Sequence, residues 1–102
     1  MKKVYVPNKS IHDFSAAEKY GRLVFLSEGN INKYATSAIF RSFKKRMKDS
    51  DEGDFLLVTG LNVLNIIASM ILTQKHKQVN LLLFQTSGVK KDYIERVIKM
   101  EE

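Results

Sequence analysis

The stretch "FLLVTGLNVLNIIASMILTQ", residues 55–74, runs for twenty residues without a charged side chain. That is the length of a bilayer-spanning helix. Gly60, Asn62 and Asn65 lie within it, with Thr59 and Ser69. Amides in lipid need partners, and none is visible in the sequence. A strand, a turn and a helix explain the stretch better. "FLLVT" has strand length, Gly60 suits a tight turn, and Asn62 is a good helix cap. "VLNIIASMIL" continues as a helix, and Lys75, His76 and Lys77 follow where the helix dipole favours cations.

The unit recurs. "RLVFLSEGNIN" (22–32) is an apolar run closed by small polar residues and Gly29, and "VNLLLFQTSG" (79–88) ends in Thr86, Ser87 and Gly88. Between the first two runs lies "KYATSAIFRSFKKRMK", where Ile31, Tyr34, Ala38, Ile39, Phe43 and Met47 have the spacing of one inward helix face. Strand alternating with helix implies a sheet with right-handed crossover connections. "KKVYVP" (2–7) reads as a first strand. In "SAAEKYG", Ser15 and Glu18 are spaced as a capping box and Gly21 is a stop. The tail "YIERVIKM" is rich in β-branched residues. It is read as a strand pairing back on "NLLLFQ", with a helix as the alternative.

The expected fold is therefore a single α/β domain over residues 1–102. It is a sandwich with a four- or five-stranded, mostly parallel sheet, two main crossover helices and one short N-terminal helix. "FLLVTG" should be central, because it is uncharged throughout.

Composition narrows the partners. With no cysteine there is no disulfide framework and no thiolate metal site. "MKKVYVPNKS" lacks the long apolar run of a signal peptide, so the expected location is the cytoplasm. Residues 1–48 hold 11 Lys or Arg against 3 acids, and residues 49–102 hold 6 against 8, which gives the net +6. A basic half attracts phosphate-rich partners without specifying a sequence.

Three groups of residues could carry function. Beyond the carboxyl ends of the strands, where open α/β sheets bind ligands, the pattern gathers Ser27, Glu28, Gly29, Asn30, Asn32, Thr59, Gly60 and Asn62, with Thr86 and Ser87. Two helix N-termini would face the same edge and suit an anion, although such residues are also ordinary caps and turn formers. In "RSFKKRMK", Arg41, Lys44, Lys45 and Lys48 share one helix face, with Arg46 nearby, and could grip phosphates. The acids Asp49, Asp51, Glu52 and Asp54 follow and would blunt that field. In "IHDF", His12 beside Asp13 could act as a base, or Asp13 could cap the short helix; His76 reads as a surface residue at a helix end. No phosphate-loop, dinucleotide or nucleophile-elbow motif is present, and no metal or cofactor site can be assembled.

The phrases "PNKSIHDFSAAEKYG" and "LSEGNIN", followed by "FLLVTG" and "NLLLF", resemble small proteins of unassigned role encoded by bacteriophages, over nearly the whole chain. That resemblance implies a virus-encoded protein working in the host cytoplasm and assigns no functional residue. Three readings stay open. One is a non-enzymatic binding module for nucleic acid or a host protein. The second is a small enzyme or sequestering protein for a phosphorylated ligand at the sheet edge. The third is a homo-oligomer built on the apolar 63–72 helix. None needs a membrane or a cofactor.

Overall fold

The computed structural model describes residues 1–88 and 90–101. Among them, five strands form one sheet in the order β2-β1-β3-β4-β5. The strands are β1 (Lys3–Val6), β2 (Arg22–Phe25), β3 (Phe55–Leu57), β4 (Gln78–Ser87) and β5 (Lys90–Lys99). A short 3-10 helix, Ser15–Tyr20, joins β1 to β2; α1 (Thr36–Arg46) joins β2 to β3; α2 (Asn62–His76) joins β3 to β4.

The uncharged stretch is indeed strand, turn and helix. Phe55, Leu56 and Leu57 are all buried in the central strand. Each large apolar side chain taken out of water there contributes about 1.5–3 kcal/mol. The chain then turns at Gly60, whose φ of 73° lies in the left-handed region open to glycine, and α2 begins. No helix of the described residues is long and apolar enough to cross a membrane.

The sheet is mixed rather than mostly parallel. β2, β1, β3 and β4 run parallel, whereas β5 returns antiparallel to β4 over ten residue pairs, from Gln78↔Lys99 to Ser87↔Lys90. The cause is the length of the connection: two residues, 88 and 89, separate β4 from β5, and a parallel pairing would need a crossover of about a dozen or more. β4 pairs with β3 only through Asn80–Leu82, so the hairpin extends past the end of β3.

Strand order fixes the layers. The chain steps one way from β1 to β2 and the other way from β2 to β3 and β4. Right-handed crossovers in opposite directions lie on opposite faces. Accordingly, Phe14 and Ala17 pack with Val4, Val6, Phe55, Leu57, Leu82 and Tyr93 on one face. On the other, Ile39 and Phe43 of α1 and Leu64, Ile67, Ala68, Ile71 and Leu72 of α2 pack with Tyr5, Leu26, Leu56 and Val79.

Local details depart from the sequence reading. α1 starts only at Thr36, so Tyr34 precedes it and is exposed, as is Ala38, while Ile39, Phe43 and Met47 are buried. The Ser15–Glu18 capping box does not form. Instead the Ser15 amide donates to Asp13 Oδ1 at 2.9 Å, which opens the 3-10 helix. Gly21 ends it for a steric reason: a Cβ there would lie 2.5 Å from the Lys2 carbonyl oxygen.

Candidate functional site

β1 and β3 are neighbours whose following connections leave on opposite faces, so their carboxyl ends define the switch-point crevice of the sheet. On its β1 side, polar groups tie the end of β1 to the end of β2. The Ser27 hydroxyl donates to the Pro7 carbonyl at 2.6 Å and lies 2.9 Å from Asn8 Oδ1. Asn8 Nδ2 donates to the Gly29 carbonyl at 3.1 Å, and Lys9 and Glu28 form an isolated parallel bridge. Asn32 Oδ1 accepts the Tyr34 amide at 3.0 Å, a local turn ahead of α1.

The anchor of the β3–α2 turn is Asn65, not Asn62. Asn65 Oδ1 accepts the Thr59 amide at 3.2 Å, and its Nδ2 donates to the Thr59 and Leu61 carbonyls at 3.0 and 3.2 Å. Asn62 is the exposed first residue of α2, and Leu61 occupies the cap position without a side-chain hydrogen bond. Ser27, Asn32 and the Thr59 backbone thus serve the fold, while Glu28, Asn30, Gly60 and Asn62 lie exposed at the same edge. Thr86 lies farther out, in the hairpin, paired with Lys91.

His12 and Asp13 are held apart in role. Asp13 is bonded by the Ser15 amide, which keeps its carboxyl below the usual range. The His12 ring instead meets Phe14 edge-on at 6.3 Å. His76 is more than a surface residue: its Nε2 lies 2.9 Å from the hydroxyl of buried Ser50.

The basic stripe is assembled as a surface. Arg41, Lys44, Lys45, Arg46 and Lys48 are all exposed on α1 or directly after it. Both helices run antiparallel to the parallel strands, so the carboxyl ends of α1 and α2 meet at one end of the molecule. Lys75 of α2 donates to the Lys48 carbonyl at 2.6 Å. Lys44, Lys48 and Lys75 thereby surround a depression of about 360 Å³ floored by Met47 and Ile71. Sequence reasoning missed Lys75 as a member, because only the packing of two distant helices brings it there.

The opposing acids are weaker than the sequence suggests. Asp54 points inward, 2% exposed. It accepts the Lys3 amide at 2.9 Å and the Asp51 amide at 2.8 Å, and it sits 3.6 Å from Lys3 Nζ. Lys3 also lies 3.8 Å from Asp51. Among the described residues, the cations with a carboxylate within 4.0 Å are Lys3 and Lys19; none of the helix-end cations has one.

These features define a small α/β protein with a mixed five-stranded sheet and a concentrated basic surface at its paired helix ends. The chain belongs to the family described as Phage Pam3 gp32-like protein, whose model matches residues 2–100. The resemblance to phage-encoded proteins of unassigned role is thereby borne out. No curated protein and no solved structure matches the chain.

Proposed function

We propose that this phage protein is a small non-enzymatic binding module that engages nucleic acid in the host cytoplasm through the joined carboxyl ends of α1 and α2. The observation that carries the reading is the cluster of Arg41, Lys44, Lys45, Arg46, Lys48 and Lys75, exposed together and without a carboxylate partner among the described residues. Cations so placed neutralise phosphates and release counterions, giving affinity without base readout. The remaining acids, Asp49, Asp51 and Glu52, stay exposed nearby and keep the interaction weak. Affinity in the range of about 10⁻⁴ to 10⁻⁶ M at physiological salt is expected.

The test is a titration of unrelated DNA duplexes against the unmodified protein and a variant with Arg41, Lys44, Lys45 and Lys48 all changed to Gln. The variant should fold normally and lose affinity about equally for every duplex. Its slope of log affinity against log salt should shrink by up to roughly 0.9 for each phosphate that is no longer neutralised. Absence of binding by the unmodified protein at low salt would make the surface only a solvated helix end.

A further inference from the structure

The sheet has two edge strands, β2 and β5, and the protein treats them differently. At β5 the Met100 amide bonds the Lys77 carbonyl. Antiparallel pairs alternate, so even-numbered residues of β5 face β4 and odd-numbered ones turn their N–H and C=O outward. Several of those outward groups are closed by neighbouring side chains. The Tyr93 amide donates to Asp92 Oδ1 at 2.7 Å, the Tyr20 hydroxyl donates to the Tyr93 carbonyl at 3.1 Å, and Arg96 Nη1 donates to the Glu95 carbonyl at 2.7 Å. Lys19 clamps Asp92 from the 3-10 helix at 2.8 and 3.0 Å. An edge occupied in this way resists strand addition at its centre.

β2 has no such closure. The Arg22 and Leu26 amides donate to the Lys2 and Val6 carbonyls at 3.0 and 2.8 Å. The even-numbered residues therefore face β1, and the backbone groups of Leu23 and Phe25 face out. Among the described residues, no side chain bonds them. Beside this edge runs a groove of about 870 Å³ between β2 and the 3-10 helix. Its floor includes half-buried Leu23 and Phe25, with the Phe14 ring 6.3 Å from that of Phe25. Lys2, Lys9 and Arg22 line it, with Lys9 Nζ 5.5 Å from the Phe25 ring centre. None of these three has a carboxylate within 4.0 Å among the described residues. Two acids share the groove, and one of them, Asp13, is already bonded by the Ser15 amide.

We infer that β2 is a docking edge for an extended peptide segment of a partner protein, apolar where it meets Leu23 and Phe25 and acidic toward Lys2, Lys9 and Arg22. Backbone hydrogen bonds to an open edge supply affinity in this mode, and alternate side chains supply selectivity. The excess of unpaired cations favours acidic residues in the incoming strand. This surface lies on the sheet face opposite α1, so its failure and that of the basic helix ends are separable.

The probe is the blocked peptide Glu-Val-Glu-Val-Glu-Val-Glu, added to isotope-labelled full chain and followed by amide hydrogen exchange. Exchange at Leu23 and Phe25 should slow by about tenfold or more on saturation. The effect should vanish when alternate peptide amides are N-methylated in the phase that faces β2, and fall when Glu is replaced by Lys in the peptide. Phe25→Ala and Lys9→Glu should each weaken binding while leaving circular dichroism unchanged. The inference is overturned if both N-methylated phases bind as well as the parent peptide, or if protection falls elsewhere than on β2. Absence of binding at millimolar peptide also overturns it, as does occupation of the groove by oligothymidylate in place of the peptide.

Discussion

Single side chains decide how the turns hold. Asn65 satisfies both backbone groups of Thr59 and the Leu61 carbonyl. Removing it strands partly buried groups, at about 1–3 kcal/mol. Asn65→Ala should therefore lower the urea midpoint clearly, while Asn62→Ala, at an exposed position, should stay within roughly ±0.5 kcal/mol. Equal midpoints would refute this account of the turn. The sequence supplied the right residue type and the wrong position: a cap reading takes the asparagine two residues after the glycine, but the turn geometry lets one a helical turn later reach back. Tyr5 shows the same scale electrostatically. Burial first, and then the nearby Asp54, Asp49 and Asp51 carboxylates, push its phenol from 10.0 to about 12. The folded state thus holds the neutral phenol when the unfolded chain ionises. Its stabilising contribution is whole below pH 10 and is lost as pH rises toward 12. Burial also raises Tyr93, which adds in the same direction. Alkaline denaturation monitored by circular dichroism should show this loss, and Tyr5→Phe should reduce it.

Elements meet through backbone approaches that no pattern of apolar residues reveals. β1 and β2 come together where Gly21 passes the Lys2 carbonyl, and the Arg22 amide bonds that same oxygen at 3.0 Å. Gly21→Ala would set a methyl group against backbone that cannot move aside cheaply, with an expected cost of about 1–3 kcal/mol. Thermal unfolding of the variant checks this, and an unchanged midpoint would mean the strands tolerate the shift. Apolar spacing did locate every strand and both main helices, because their periods differ strongly. It failed on faces. Ile66 and Met70 of α2, each 56% exposed, look as core-like in sequence as buried Ile67 and Ile71. A helix that is apolar nearly all round does not announce which flank the sheet covers. The candidate ligand edge was legible as a place but not as a site, since side chains that suit a ligand also suit a turn.

Across the whole molecule, the α/β class, the central place of β3 and the return of β5 on β4 were readable from short apolar runs and their punctuation. The mixed character of the sheet and the strand order were not, because three parallel ladders pair segments far apart in the chain. The β4–β5 hairpin bears on how the chain reaches this state. It is the longest ladder in the sheet and joins strands only two residues apart in the chain. Pairing β1 with β3 requires closing a loop from Val4 to Phe55, and long loops cost entropy before any pairing rewards them. The hairpin and α2 should accordingly organise first, and β1 and β2 should join late. In stopped-flow refolding, Ile94→Ala should slow folding, whereas Val24→Ala should chiefly accelerate unfolding. The reverse assignment would place the nucleus at the parallel edge. Because the hairpin follows β1 and β2 in the chain, synthesis releases these slow-pairing segments before the hairpin on which their ordering depends.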